Sequence, residues 1–355
     1  MSASVALQTL LTQTLGIAVP VINAPMAGRP KPVAGAELAA AVARAGGLGL
    51  IGAAACTPVQ LTEEFVQAQA LLGAGADPQH AGIGLGLINA FTGPELLQAA
   101  IDCQPRAIWL SFGPFKELAP PIKAAGIKLI CQVQTLEQIG DVLPLGADVI
   151  VAQSYESGGH GASHATTFCF VPEAVDFVRE QCEKAGRPPV PVVAAGGVTD
   201  SRQIAAVLAL GGDGVVLGTR LLATPECGSR AEEKEAVAAA GSDASETPAT
   251  VRTRLYDDLS SLPWPQEVNG RLLQNKFIAD YGARLAGTPP AERETVKAEA
   301  IEVLKRSDFD RDVSAVYCGA GVGLVRKIEP AEVLVTSLVT EAKARLQRLG
   351  AELAK

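Results

Sequence analysis

Short apolar runs recur along this chain, and longer stretches of helix-forming residues separate them. Eight runs rich in Val, Ile, Leu and Ala predict β-strands at 21–24, 48–52, 82–88, 107–111, 128–132, 148–152, 191–195 and 214–217. The main intervening stretches predict helices at 35–45, 58–72, 94–101, 172–184 and 201–210. Strands that alternate with helices in this way indicate a parallel sheet covered by helices.

The number of strand–helix units favours a closed barrel. Strands such as the one in VPVVAAG (190–196) are apolar on both faces, and glycines at 126, 146 and 212 end the preceding helices. Eight such units close naturally into a (β/α)₈ TIM barrel. The rival fold, a doubly wound open sheet, usually needs fewer units and a phosphate loop after its first strand. The sequence therefore predicts an α/β protein with a TIM barrel.

The pattern changes after the eighth strand. Residues 226–314 are more polar and show no strand alternation, which predicts a mainly helical insertion that serves as a lid, with Trp264 or Tyr256 near the substrate. Apolar residues at helical spacing then recur towards the end of the chain, as a last barrel helix or as a contact in a homodimer, with core packing favoured. The predicted division is a barrel core at 1–225, the insertion at 226–314, and a segment completing the barrel at 315–355.

Composition and charge narrow the class of protein. A chain of 355 residues, 48% hydrophobic and 4% aromatic, suits one large core of aliphatic residues. A formal charge of −8 without a basic patch argues against nucleic acid and anionic membranes as partners. The seven cysteines contain no Cys-x-x-Cys pair, so neither a disulfide framework nor a metal site is expected. Glu37 and Arg44 interrupt the longest apolar run, and the start resembles no targeting signal, which predicts a cytoplasmic protein.

Two glycine-containing loops follow the seventh and eighth predicted strands. Ala195-Gly196-Gly197 and Leu217-Gly218-Thr219 expose main-chain amides at the carboxyl ends of neighbouring strands, where TIM barrels bind phosphate. Glycines in loops often serve only a tight turn, but paired loops after adjacent late strands favour a phosphate site. Thr219 adds a hydroxyl donor.

The loop after the sixth strand contains the best candidate for a proton-transferring residue. His160 follows Gly158 and Gly159 at the strand's carboxyl end, where an imidazole can exchange protons near neutral pH. The alternative is a surface histidine. His164 is a weaker candidate for the same role, and His80 is predicted to be an exposed loop residue.

Further candidates follow the first and third strands. In Asn23-Ala24-Pro25-Met26, the proline fixes the backbone and the methionine offers an apolar surface for a flat ring, although a core position for this methionine is equally compatible. Asn89 is a candidate hydrogen-bonding group at a cofactor's edge. The G-x-G-x-x-G match at 47–52 follows a helix and lies inside a strand, so it is not a dinucleotide-binding turn.

Several of these segments together resemble the nitronate monooxygenase family, formerly called 2-nitropropane dioxygenases. The resemblance rests on NAPMAG (23–28), AQSYESGGHG (152–161), AAGGV (194–198), GVVLGTR (214–220), CGAGVGLV (318–325) and the insert RTRLYDDL…WP…NGR (252–271). Ser154 and Ser157 depart from the family pattern, which has Gly and Ala there. Related enoyl-reductase and quinone-reductase barrels share part of the pattern.

The resemblance implies an FMN enzyme with His160 as its catalytic residue. It places the FMN phosphate on Gly196, Gly197, Gly218 and Thr219, the ring near Pro25 and Met26, and Gln153 at the ring's polar edge. With the loops above, the predicted cofactor-binding set is Asn23, Ala24, Pro25, Met26, Asn89, Gln153, Gly158, Gly159, Ala195, Gly196, Gly197, Leu217, Gly218 and Thr219.

The reaction implied is oxidation of alkyl nitronates by dioxygen to carbonyl compounds and nitrite. Whether neutral nitroalkanes are also substrates stays open. Two alternatives are an NAD(P)H-dependent FMN reductase acting on quinones or enoyl thioesters, and a non-enzymatic flavin-binding barrel. Oxygen uptake with nitronate rather than with NADH distinguishes the monooxygenase from the reductase. A requirement for His160 in turnover distinguishes an enzyme from a flavin-binding protein.

Overall fold

The computed structural model describes residues 6–28, 30–73, 82–260 and 262–354. Its strands within these ranges are β1 (Val21–Asn23), β2 (Gly49–Gly52), β3 (Ile83–Ile88), β4 (Ala107–Ser111), β5 (Lys128–Val133), β6 (Val149–Gln153), β7 (Gly159–Gly161), β8 (Val192–Ala195), β9 (Gly214–Leu217), β10 (Thr250–Thr253) and β11 (Asn269–Leu273). All eight predicted strands are present, within one or two residues of their predicted bounds. The G-x-G-x-x-G match at 47–52 ends in β2, as expected of a strand segment.

Eight of these strands form a parallel sheet in the order β1-β9-β8-β6-β5-β4-β3-β2. A parallel bridge between Ile22 and Leu48 joins its two ends and closes the barrel. The TIM barrel predicted from the sequence is thus confirmed. Buried side chains fill its interior, among them Ile22, Leu50 and Ile130, so the barrel is a packed core rather than a channel.

Helices surround this barrel, close one end of it and form part of the insertion after β9. They are α1 (Leu10–Leu15), α2 (Ala36–Arg44), α3 (Pro58–Leu72), α4 (Pro94–Asp102), α5 (Ala119–Ala124), α6 (Leu136–Val142), α7 (Thr167–Lys184), α8 (Ser201–Ala209), α9 (Thr219–Leu222), α10 (Ala231–Ala238), α11 (Leu255–Ser260), α12 (Lys276–Gly287), α13 (Arg293–Arg306) and α14 (Ala331–Leu353). Leu11 and Leu15 of α1 join the interior cluster, and Thr9 donates a hydrogen bond to the Asp213 carbonyl just before β9. The helix α1 therefore closes the amino-terminal end of the barrel and leaves the carboxyl end for ligands. Among the described helices, none has the length and apolar composition needed to cross a membrane.

Two helices of the barrel, α7 and α14, can be compared with the sequence predictions. The helix α7 begins five residues before its predicted start at Pro172, which lies within the helix. The prediction took proline as a first-turn residue, its usual place, and missed the start at Thr167. The helix α14 packs against α2 and α8 through Leu334, Leu338 and neighbouring apolar residues. Its role in a homodimer stays a prediction.

The insertion after β9 contains the helices α10, α11, α12 and α13 and two short strands, β10 and β11, which the sequence analysis did not locate. The strand β11 pairs antiparallel with β10 on one side and with β7 on the other, so that Gly270 faces His160. These strands are short and contain Arg, Asn and Gly, and their partner is distant in sequence, so no local alternation marks them. The division into 1–225, 226–314 and 315–355 stays a prediction.

Candidate active site

A cavity of about 380 Å³ opens at the carboxyl ends of the barrel strands, on the side opposite α1. Most of the predicted site residues line it: Ala24, Pro25, Met26, Gln153, Gly158, Gly159, His160, Ala195, Gly196, Gly197, Gly218 and Thr219. They stand at or after the carboxyl ends of β1, β6, β8 and β9. They meet in one cavity because all strands of a TIM barrel end at the same face.

Three predicted residues lie outside this lining. Asn23 is fully buried and bonds Leu50 twice, from Nδ2 to its carbonyl at 2.8 Å and from its amide to Oδ1 at 2.7 Å. Its side-chain amide thereby replaces the sheet hydrogen bonds at the β1–β2 seam, where the strands share only the isolated bridge. Leu217 is a buried core residue.

Asn89 likewise acts on the backbone between two strands. Its Oδ1 accepts from the Ser111 amide at 3.2 Å, and its Nδ2 donates to the Gly113 carbonyl at 3.3 Å. These bonds hold the turn after β4, where Phe112 has a φ of +52°, a conformation that L-residues adopt rarely.

His160 stands on β7 between an acidic and an aromatic side chain. Its Nε2 lies 2.8 Å from Oδ1 of Asp257, whose side chain is 4% exposed. Its ring stacks on Trp264 with centroids 3.8 Å apart and planes 11° apart. The ring of Tyr317 lies 5.4 Å away on another side. The imidazole thus has a fixed plane and a fixed partner while it lines the cavity.

Glutamine side chains fix the strand that bears His160. Oε1 of Gln153 accepts from Gln132 at 3.1 Å and from Gln134 at 3.0 Å, so its Nε2 is the end that donates to the His160 carbonyl, at 3.0 Å. Gln132 also lines the cavity. The sequence pattern indicated Gln153, but nothing local marked the other two glutamines.

The glycine loops form the second part of the cavity. Gly196 and Gly197 have φ values of +111° and +72°, which glycine adopts freely. A Cβ at Gly196 would lie 2.4 Å from Oγ of Ser154, so this loop packs directly against the one after β6. Thr219 Oγ1 accepts from the Gly319 amide at 2.8 Å, which leaves its O–H free to donate.

Aromatic side chains form much of the remaining wall. Trp109, Phe112, Trp264 and Tyr317 line the cavity. The indole N–H groups of Trp109 and Trp264 are buried and find no acceptor among the described residues. Burial and the nearby Asp257 raise the pKa of the Tyr317 hydroxyl well above its usual range, so it is a neutral phenol at physiological pH.

The other sequence candidates lie away from this site. Tyr256 donates its hydroxyl to the Val313 carbonyl at 2.6 Å and does not line the cavity, whereas Trp264 does. His164 is exposed and also lies outside the lining. The prediction for His80 falls outside the described residues.

Two arginines connect the insertion to the segment 154–161 after β6, which contains His160 and is called the histidine loop. Arg252 of β10 donates to the carbonyls of Tyr155 at 2.8 Å and Ser157 at 3.1 Å, and Arg271 of β11 donates to Tyr155 at 3.3 Å. Both guanidinium groups also lie over the Tyr155 ring. Burial and the neighbouring Arg271 lower the pKa of Arg252 to about 10, which leaves it charged at neutral pH.

Comparison with known proteins gives a consistent result. A sequence model of the family described as nitronate monooxygenase matches residues 8–76 and 95–341. A nitronate monooxygenase of Neurospora crassa is 31% identical over 361 residues, covering 93% of this chain and 91% of that one. FabK from Thermotoga maritima has a TM-score of 0.78 at 25% identity, covering 98% of this chain and all of that one. A nitroalkane oxidase from Streptomyces ansochromogenes has a TM-score of 0.74 at 25% identity, covering 96% and 100%.

Proposed function

This chain belongs to the nitronate monooxygenase family, a family of flavin-dependent oxidoreductases, and from that premise we propose that it oxidises alkyl nitronates with dioxygen and FMN. The products are a carbonyl compound and nitrite. The observation that supports this most directly is His160, held by Asp257 and Trp264 on the wall of the same cavity that the glycine loops line.

The cavity fits a flat ring that bears a phosphate. Its volume of about 380 Å³ lies within the usual range of ligand pockets, roughly 300–1,000 Å³. Gly197, Gly218 and Thr219 stand on the loops after β8 and β9 and line the cavity, which supports their main-chain amides as phosphate donors. Across the barrel, β4 presents the indole N–H of Trp109, which has no acceptor among the described residues, and Gln132 adds an amide.

The protein's own part is to bind, to orient and to move a proton. A bound flavin supplies the redox chemistry, which no side chain here provides. Pro25 and Met26 offer apolar contact to a ring, and Trp264 and Tyr317 enclose the space next to His160 and exclude water from it. His160 accepts the α-proton of a nitroalkane or holds a proton beside an anionic nitronate.

Oxygen consumption tests this proposal. The purified holoenzyme is supplied with alkyl nitronates in an oxygen electrode, and nitrite is measured in the same samples. Parallel samples contain NADH or NADPH with a quinone or an enoyl thioester. We expect oxygen uptake and nitrite release with nitronate, and a lower rate of both in a His160→Asn variant. Reductase activity without nitrite would replace the proposal by the reductase alternative, and a bound flavin without any turnover would leave a binding protein.

A further inference from the structure

The pairing of His160 with Asp257 decides which ring nitrogen can exchange a proton. Asp257 lies in the first turn of α11 in the insertion, 97 residues from His160 along the chain. An ionised carboxylate only accepts hydrogen bonds, so the imidazole must donate to it. The nitrogen at 2.8 Å from Oδ1 is Nε2, which therefore carries the proton, and in the neutral ring Nδ1 keeps the lone pair.

Asp257 has no basic partner other than this ring among the described ion pairs. Its neighbour Asp258 differs, since it is half exposed and pairs with Arg254 at 3.5 Å. A buried carboxylate is costly unless it is paired and hydrogen-bonded. The hydrogen bond from His160 therefore satisfies the buried carboxylate of Asp257, and Tyr317 faces the pair as a neutral phenol.

Trp264 contributes the second constraint. Stacking on Trp264, with ring centroids 3.8 Å apart, fixes the plane of the imidazole. Phe91 and Phe112 contact the Trp264 ring edge-on, with ring centroids 4.9 Å and 5.5 Å from it. A half-turn of the imidazole would keep this plane but exchange the positions of its ring atoms. The hydrogen bond to Asp257 is what selects one of the two orientations.

We propose that Asp257 is a positioning residue that holds His160 in the Nε2–H tautomer and makes Nδ1 the proton-accepting atom. The substrate part of this inference rests on the proposed function. With a neutral nitroalkane, the α-proton passes to Nδ1, and the C–H electron pair stays on the substrate, which becomes the nitronate. The resulting imidazolium has two N–H groups, and Asp257 balances its charge.

Nitrogen-15 NMR of the histidine-labelled holoenzyme tests the tautomer without any substrate. The chain has three histidines, and the His160 signals are those that a His160→Asn variant lacks. We expect a protonated Nε2 and an unprotonated Nδ1 in the neutral ring. In Asp257→Asn the new amide can donate to Nε2, so the protonated signal should shift largely to Nδ1. The adjacent Asp258→Asn variant should keep the wild-type pattern.

A wild-type ring protonated at Nδ1 would overturn the tautomer assignment even if Asp257→Asn failed to fold. An unchanged pattern in a folded Asp257→Asn variant would also overturn it. Neither result depends on nitronate turnover, so the proposed function stands or falls separately.

Kinetics then test the assignment of Nδ1 as base. Asp257→Asn should lower kcat with neutral nitroalkane by about 10²-fold or more, in the usual range for acid–base groups, with a much smaller loss on preformed nitronate. Asp258→Asn should match wild type. Equal losses on both substrates would indicate a merely structural role, and wild-type enzyme that turns over nitronate but no neutral nitroalkane would overturn the assignment as base.

Discussion

Individual side chains in the cavity are oriented by other side chains rather than by the backbone alone. Gln153 receives two amide donors at its oxygen, which turns its nitrogen towards the carbonyl of His160. His160 in turn has Asp257 at one nitrogen and Trp264 against its face. A shell of this kind keeps a reacting group within a fraction of an ångström of one geometry, which is what proton transfer requires.

Replacement of His160 by Asn should preserve folding and flavin binding and lower turnover. Asn keeps hydrogen-bonding capacity but cannot exchange a proton near neutral pH, so a loss of about 10²–10⁴-fold is expected where proton transfer limits the rate. The loss should be smaller with preformed nitronate than with neutral nitroalkane. The exposed His164 provides the control, since His164→Asn should leave both rates unchanged. Small and equal losses on both substrates would reduce His160 to a loop residue.

Gly196→Ala should destabilise the protein and empty the flavin site. The φ of +111° is unfavourable for Ala, and the new Cβ would lie 2.4 Å from Ser154 Oγ and 2.8 Å from the Ser157 amide nitrogen. Overpacking of this kind costs typically about 1–3 kcal/mol in addition to the backbone strain. Gly186→Ala is the matched control, because Gly186 also has a positive φ, +58°, but nothing lies within 4 Å of its Cβ position. Equal urea midpoints and equal flavin absorbance in the two variants would contradict the close packing of these loops.

The sequence indicated the site residues that stand in continuous motifs and missed those that the fold brings in. His160, Gln153 and the glycines at 196, 197 and 218 follow strands whose ends can be located from apolar runs. Asn23 ends β1 and Asn89 follows β3, yet whether an amide points to a cavity or to a neighbouring backbone depends on pleat and register. Trp109 and Tyr317 reach the cavity, and Asp257 reaches His160, from separate parts of the chain. No spacing along the chain records their proximity.

At the scale of elements, the insertion completes the histidine loop rather than covering it from outside. The strands β7, β11 and β10 form one antiparallel sheet, so the His160 strand, which follows β6 in the chain, is an edge strand of the sheet that the insertion contributes to. Apolar periodicity locates the barrel strands, because each is buried on both faces. It cannot locate a three-residue strand such as Gly159–Gly161, whose pairing depends on a partner more than 100 residues away.

Arg252 should stabilise the connection between these elements measurably. Its guanidinium donates to the carbonyls of Tyr155, Ser157 and Asn269, which would lose a charged donor in Arg252→Ala. Hydrogen bonds to charged groups contribute roughly 1.5–3 kcal/mol, so a loss of unfolding free energy of that size is expected from urea denaturation. Arg179→Ala removes an exposed arginine paired only with Asp176 and should cost less than about 0.5 kcal/mol. Similar midpoints for both variants would show that water replaces Arg252 without loss.

Trp264 should set the size of the substrate that the insertion admits. The side chain is 9% exposed and forms the wall beside His160, so Trp264→Ala enlarges the cavity and frees the imidazole plane. We expect a higher nitronate KM and a preference for longer chains that rises by about ten-fold, as for a pocket that loses apolar contacts. Trp264→Phe keeps an aromatic ring on His160 and should lie between the alanine variant and wild type. Unchanged KM and chain-length preference in Trp264→Ala would leave the insertion with a purely structural part.

At the scale of the whole molecule, barrel closure determines where all the functional groups meet. The alternation of strands and helices was enough to predict the barrel, because each strand–helix unit can be recognised from its own segment of sequence and eight such units close into a barrel. The contact between β1 and β2, where the barrel closes, could not be predicted in this way. Only one bridge and the Asn23 amide join these strands, an arrangement that depends on the closed circle and not on either strand alone.

The assembled cavity predicts which flavin the whole protein retains and which end of it is held most firmly. Heat-denatured protein should release FMN rather than FAD, because the loops after β8 and β9 offer one phosphate position and the chain has no dinucleotide-binding turn. Added to flavin-depleted protein at equal concentration, FMN should raise the Tm more than riboflavin, since stabilisation grows as RT ln(1 + [L]/Kd), about 2.7 kcal/mol at a 100-fold excess over Kd. Chromatography of the supernatant identifies the flavin, and thermal unfolding compares the two ligands.

In Gly197→Asp, where φ is +72° and the side chain would also meet Glu156, the advantage of FMN over riboflavin should disappear. An adenine-containing flavin in the supernatant, or equal shifts by FMN and riboflavin in wild type, would place the phosphate elsewhere.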